Sequence, residues 1–226
     1  MDTSIKKQLN LYWDALPRPT KKALDFLSTQ EWLSRFGWYL AGGTALALQT
    51  GHRTSVDLDF FTTEPKFLAQ AVTGNFSGNK EWHSDSVEDN TIYGKLFDAK
   101  ISFIAYPFFV PKQAFLRHGT VNILKPLDIA VMKIVAISQR GKKRDFFDLY
   151  WCVHNLEPLE QTITRLREQY PSVAHDYHHI LRSMVYFEDA EIDPTPETHF
   201  KASWKEVKDF FTDNIPRITK KLIDLK

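Results

Sequence analysis

The 226-residue sequence has a single cysteine, Cys152. No intramolecular disulfide framework can therefore hold the fold, which fits a reducing compartment. Cys152 lies between Trp151 and Val153, the setting of a half-buried helix position rather than of a nucleophile. Charge of one sign is not in excess either: 29 Lys and Arg stand against 28 Asp and Glu, a net charge of +1. That excludes a global field drawing the chain to nucleic acid or an anionic membrane and leaves only local patches. No apolar run reaches the roughly 18 residues that span a bilayer. The stretch MDTSIKKQLNLYWDAL lacks the charged-then-apolar layout of a signal peptide. No membrane partner and a cytoplasmic location are expected. Internal repeats and low-complexity tracts are missing as well.

What is present is the balance of a soluble globular protein, 43% hydrophobic and 25% charged. Helical patterns run over Ser4–Leu16 and Thr20–Phe36, separated by Pro17 and Pro19. Trp38-Tyr39-Leu40 reads as a short buried strand, followed by Gly42-Gly43 and a helix over Thr44–Leu48 that Gly51 ends. Val56–Phe61 alternates as a strand, with Val56, Leu58 and Phe60 on one face and Asp57, Asp59 and Phe61 on the other. A helical stretch over Pro65–Val72 precedes strands around Thr91–Phe97 and Lys100–Phe109.

After Pro126 the pattern turns helical: Asp128–Gln139, Arg144–His154, Leu159–Glu168, Val173–Phe187, Ser203–Thr212 and Ile215–Leu225. Ile192–Thr198 is the linker-like loop among these helices. The expectation is an α/β (α+β) chain, with a mixed β-sheet lobe over residues 1–125 that includes the N-terminal helices. A helical lobe over residues 126–226 completes a cleft.

The chemistry-bearing residues cluster in two blocks. Asp57 and Asp59, two apart on a strand, project from one face roughly 7 Å apart at the backbone. A cation relieves such repulsion, and hard oxygen ligands suit Mg²⁺, which takes one or two carboxylates plus substrate phosphates. An isolated Asp-X-Asp is also what a solvent-facing strand edge carries. The Gly42-Gly43 turn can bring backbone amides up to a phosphate at a helix start, with the Thr44 hydroxyl beside them. In the second block Lys133 shares a helix face with Ile129, Ala130, Ala136 and Ile137 and needs an anionic partner. Arg140 falls on the same face, and Lys142, Lys143 and Arg144 follow; a polyphosphate would satisfy them, as would a solvated helix end. Asp145 and Asp148, three apart on the next helix, either pair with neighbouring cations or face the cleft.

The string LAGGTALALQTGHRTSVDLDFF, Leu40–Phe61, resembles the signature of the AbiEii/AbiGii toxin family within the DNA polymerase β-like nucleotidyltransferases. DIAVMKIVAISQRGKKRDFFDLY, Asp128–Tyr150, resembles the same family's helical Lys, Arg and basic-Asp block. The resemblance implies a nucleotidyltransferase-like sheet lobe and Mg²⁺-dependent transfer of a nucleotide from an NTP to an RNA (tRNA) or protein acceptor, releasing pyrophosphate. It implies a cognate antitoxin in a toxin-antitoxin or phage-defence system. On it, Asp57 and Asp59 hold the metal, Gly42, Gly43 and Thr44 hold phosphates, and His52, Arg53 and Ser55 occupy the turn before the acids. Lys133, Arg140, Lys143 and Arg144 join the nucleotide site, and Lys133, Asp145 and Asp148 count with the acid pair as catalytic. One departure stands out: in Ala99-Lys100-Ile101-Ser102-Phe103, Ser102 occupies the place of the superfamily's third carboxylate. The alternative this opens is a catalytically degenerate nucleotide-binding or interaction module of the same fold.

Overall fold

The computed structural model describes residues 11–224. Most of the helix expected over Ser4–Leu16 lies outside them, and its end contains a 3₁₀ turn at Trp13–Ala15. Helix α1 (Arg18–Leu27) opens with Pro19 in its first turn and buries Ala23, Leu24 and Leu27, an i, i+1, i+4 stripe that faces the core. It stops at Ser28, and a separate short α2 (Glu31–Arg35) follows, so the single helix expected over Thr20–Phe36 is two.

Strand β1 (Tyr39–Ala41) is wholly buried and runs straight into α3 (Gly42–Thr50). Thr44 to Leu48 are all buried, the mark of a helix enclosed by the rest of the chain. Strand β2 (Leu58–Thr62) buries Leu58, Phe60 and Thr62 and leaves Asp59 and Phe61 partly exposed on the opposite face. Val56 and Asp57 precede the ladder, so alternation does not govern them, and Val56 is exposed rather than sharing the Leu58 face.

After α4 (Ala69–Thr73) come β3 (Trp82–Glu88), β4 (Thr91–Leu96) and β5 (Ala99–Ala105), an antiparallel meander. A short hairpin follows, β6 (Leu116–His118) and β7 (Val121–Ile123). The seven strands form one mixed sheet in the order β3-β4-β5-β2-β1-β7-β6, with β2–β5 and β1–β7 parallel. Strand β3 has no strand pattern in its sequence, WHSDSVE, which is polar and mostly exposed; it forms by pairing at the sheet edge. The three-residue strands β6 and β7 are too short for periodicity to register.

Helices then dominate: α5 (Pro126–Arg140), α6 (Lys143–Asn155), α7 (Leu159–Thr164), α8 (Leu166–Gln169), α9 (Tyr177–Ser183), α10 (Glu188–Glu191) and α11 (Trp204–Asp224). The helix expected over Val173–Phe187 begins only where the Asp176 side chain caps it, accepting from the His179 amide. Pro216 does not divide the last helix. Val207, Phe211, Ile215 and Ile218 stay buried along one face of α11, so tertiary packing carries the helix through the missing donor. The buried residues of the sheet and of the helices make one continuous core, from Trp38, Phe60 and Phe103 to Ile134, Phe146 and Phe211. The sequence Ile192–Thr198 is a strap rather than a free linker. Thr198 bridges to Arg53, Thr54 donates its amide to the Glu197 carbonyl, and His199 donates its amide to the His52 carbonyl.

Candidate active site

A cleft of about 470 Å³ lies between the exposed face of β2, β5 and β4, the start of α3, and α5 with the first turn of α6. Its residues come from segments distant in the chain, and each is aimed by a local feature.

Gly42 turns the chain out of β1 with φ +69°, a left-handed conformation favouring glycine, and a Cβ there would fall 2.9 Å from Asp59 Oδ2. At Gly43 a Cβ would fall 2.0 Å from Arg53 Nη2. The two glycines therefore let α3 start against the acid strand and against a guanidinium. The residue before them, Ala41, has no side chain able to cap the helix, so the cleft meets an uncapped positive helix end. The Thr44 hydroxyl is spent inside the protein: it donates to the Asp57 carbonyl and shares a 2.9 Å hydrogen bond with Ser55 Oγ. Thr44 and Ser55 thus pin the turn that carries Asp57.

Asp57 Oδ2 lies 3.2 Å from Arg144 Nη1, and both side chains remain partly exposed. Asp59 accepts from Ser102 Oγ at 2.7 Å, its register partner on β5. Burial pushes the Asp59 carboxyl up from its ordinary value, Ser102 opposes this, and the Asp57 charge adds to it. That repulsion is what a cation would relieve. Among the described residues no cluster of three or more His, Cys, Asp or Glu is arranged to hold a metal. Two carboxylates with room beside them suit an ion that completes its shell with substrate oxygens and water, the habit of Mg²⁺, and not a protein-caged metal.

Asp145 and Asp148 are the anions that Lys133 needs. Both side chains are completely buried. Lys133 Nζ lies 2.6 Å from Asp145 Oδ1 and 2.6 Å from Asp148 Oδ2. Arg53 grips Asp148 at two points, Nε to Oδ1 at 2.6 Å and Nη2 to Oδ2 at 3.0 Å, and His52 Nε2 lies 2.8 Å from the same Oδ1. Arg140 Nε reaches Asp145 Oδ2 at 3.0 Å. Three fixed cations, Lys133, Arg53 and Arg140, thus share two carboxylates. The surplus positive charge faces the cleft, which all three line while the acids do not.

Burial alone would raise the Asp148 carboxyl, but Arg53 and Lys133 hold it well below the usual carboxylate range. Burial lowers His52, against the opposing pull of Asp148. Lys133 donates to Asp145 Oδ1, lies within ion-pair distance of Asp148 Oδ2, and also lines the cleft. Asp145 and Asp148 are completely buried, engaged in ion pairs, and do not line the cleft. Lys143 does not line the cleft: its Nζ donates to the Asp193 carbonyl at 2.6 Å. Gly42, Gly43, Thr44, Arg53, Ser55, Asp57, Asp59, Lys133, Arg140 and Arg144 come together around it.

The cleft also contains residues the motifs do not announce. Phe61, Ile104, Tyr106, Ile129 and Met132 form an apolar end, and Asp85, Tyr93 and Lys100 line the sheet side. The signal available for Tyr93 and Lys100 was strand alternation, which sets them opposite the buried Ile92 and Ile101.

The mixed sheet, the glycine turn into α3 and the paired acids define a nucleotidyltransferase fold. JHP933 of Helicobacter pylori is similar to this chain with a TM-score of 0.52 and 19% identity, over 93% of this chain and 96% of that one. MenT4, the nucleotidyltransferase toxin Rv2826c of Mycobacterium tuberculosis H37Rv, is similar with a TM-score of 0.51 and 16% identity, over 89% of each chain. An uncharacterized Aquifex aeolicus (strain VF5) protein, aq_aa25, is 34% identical over 182 residues, covering 77% of this chain and 84% of its own. The profile described as "Nucleotidyl transferase AbiEii toxin, Type IV TA system" matches residues 23–91 and 103–222. The chain belongs to that family. The two matched stretches leave out residues 92–102, which contain most of β4, the turn after it and Ser102.

Proposed function

We propose that the chain transfers a nucleotidyl group from an NTP to an acceptor hydroxyl on an RNA, such as a tRNA end, or on a protein, as the toxin of a pair with a cognate antitoxin. The observation that carries this reading is the placement of surplus positive charge, Lys133 with Arg53 and Arg140, across the cleft from Asp57 and Asp59. Such a site is matched to a triphosphate held between a carboxylate-bound cation and fixed positive groups. Asp57 and Asp59 would hold Mg²⁺, which when bound offsets charge on the phosphates.

Within this reading, the uncapped start of α3 at Gly42-Gly43 receives outer phosphate oxygens. Lys133 and the exposed part of Arg140 stabilise charge at the α-phosphate and on the leaving pyrophosphate. Arg144, released from Asp57, has the same reach. The acceptor oxygen bonds to the α-phosphorus as the α–β bridging bond breaks, and pyrophosphate leaves with that electron pair. Ser102 cannot act as a base, and Asp145 and Asp148 are closed off by their ion pairs. The acceptor's proton therefore passes to a substrate phosphate oxygen, which a loose transition state tolerates. The apolar end, Phe61 with Tyr106 and Met132, is suited to a nucleobase.

Ser102 also favours a second reading, a nucleotide-binding module without turnover. The deciding experiment supplies each α-labelled NTP with Mg²⁺ and total RNA or protein, beside Asp57→Ala and Asp59→Ala controls. Label moves to one acceptor pool in the wild type only. NTP binding with no transfer to either pool would overturn the enzyme reading in favour of the module.

A further inference from the structure

Asp59 pairs in register with Ser102, and Ser102 with Tyr93 on the next strand, so the three side chains share one face and point into the cleft. Directly paired residues project on the same side, and neighbouring strands are about 4.8 Å apart, which sets Tyr93 roughly 10 Å from Asp59 at the backbone. One step along the strands a second row runs parallel to the first: Lys100 pairs with Lys95, and Lys95 with His83. The opposite face of these strands is the buried one, with Ile92, Leu96, Ile101 and Phe103.

Three features of this face call for an occupant. Lys95 and Lys100 stand opposite each other in an antiparallel pair, where like charges repel. Neither has a carboxylate partner within ion-pair distance among the described residues. Tyr93 presents an aromatic ring that is 45% exposed. The ladder slips between Ser84 and Ser86, and Asp85 at this bulge lines the cleft; bulges commonly re-aim a side chain in this way. Cations in one row beside an aromatic in the next, on an open sheet, is the arrangement that tracks an unpaired polynucleotide: phosphates on the lysines and a base on the ring. The row also leads away from α5 and α6, which pack on α3 at the other side of the acids.

We propose that the outer face of β3, β4 and β5 is the acceptor track. A single-stranded RNA end lies on it, with backbone phosphates against Lys95 and Lys100, a base stacked on Tyr93, and its terminal hydroxyl directed towards Asp57 and Asp59. The Asp85 carboxylate accepts from a ribose hydroxyl or base amino group. The RNA choice rests on the nucleotidyl-transfer reading above. Lys95, Lys100 and Tyr93 all lie in the stretch between the two family-matched segments, so this track is set by residues outside the match.

The test measures binding of a short fluorescent single-stranded RNA by anisotropy, at two salt concentrations, alongside NTP affinity by calorimetry. Wild type binds the RNA, and binding weakens as salt rises. Lys95→Glu with Lys100→Glu lowers RNA affinity at least about tenfold. Tyr93→Ala lowers it by roughly tenfold, the size of one lost stacked base. NTP affinity falls by less than RNA affinity in each of them, since only Tyr93 and Lys100 also line the cleft. The milder pair Lys95→Gln with Lys100→Gln, checked by thermal melting, separates lost contacts from lost folding. Equal RNA affinity in wild type and variants, or no RNA binding by the wild type, overturns the track, as does label transfer to protein alone. If instead the wild type binds RNA through these residues but no NTP, the transfer reading fails and the track stands.

Discussion

Arg53 and Asp148, 95 residues apart in the chain, meet in a two-point ion pair with distances of 2.6 and 3.0 Å. The same carboxylate holds Lys133 and His52, so one buried acid orients three groups from two blocks of sequence.

Removing that acid is therefore expected to cost more than one hydrogen bond. Asp148→Ala leaves Arg53 and Lys133 buried with one anion fewer, which destabilises by about 3–5 kcal/mol. Asp148→Asn keeps the shape and loses less. Urea unfolding of both variants checks the order, and equal midpoints for wild type and Asp148→Ala would refute the hub role.

Gly43→Ala is expected to push the Arg53 guanidinium out of place, since the new Cβ would sit 2.0 Å from Nη2. The steric cost is about 1–3 kcal/mol. Weakened NTP affinity accompanies it, because the start of α3 shifts with Arg53; calorimetry on the folded variant measures this.

Stability should fall on acidification in two stages. His52 has a folded-state pKa below its unfolded value, so the unfolded chain binds the proton more readily, and stability is lost as pH drops below about 6.5. Asp148 is held well below the carboxylate range, so its contribution is complete above about pH 4 and is lost as pH falls through the lower folded value. Thermal midpoints from pH 8 to pH 3 follow both, and His52→Gln should remove the upper stage alone.

Lys133→Ala is expected to reduce transfer by roughly a hundredfold or more, through loss of a fixed positive group at the phosphates. Because it also strips a partner from two buried carboxylates, it lowers stability too. Single-turnover rates at saturating NTP, on protein shown to be folded, separate the two effects.

Asp59→Ala should abolish detectable transfer, whereas Ser102→Ala, which removes only the 2.7 Å hydrogen bond to Asp59, should cost less than about tenfold. A loss in Ser102→Ala as deep as in Asp59→Ala would show that the serine does more than hold the carboxylate.

The chemistry-bearing strings were legible because each combines residue types that simple packing does not require: glycines before a helix, acids two apart on a strand, and a lysine amid apolar neighbours on a helix. What was not legible was partnership. Lys133 asks for an anion in the sequence, and a polyphosphate and a protein carboxylate answer equally well until α5 and α6 are docked. Likewise Thr44 reads as a phosphate ligand, yet its hydroxyl is consumed by Ser55 and the Asp57 carbonyl.

Local pattern by itself determined the glycine turn into α3, the alternation that bares Asp59 on β2, and the helical character after Pro126, because these depend on near neighbours and on the periods of strand and helix. Only the tertiary structure decided that Asp145 and Asp148 face inward, that Lys143 turns away, that polar β3 joins the sheet, and that Tyr93 stands in line with Asp59. Ion pairing and strand register are set by which segments meet across the core, and a chain read in order carries no measure of that distance.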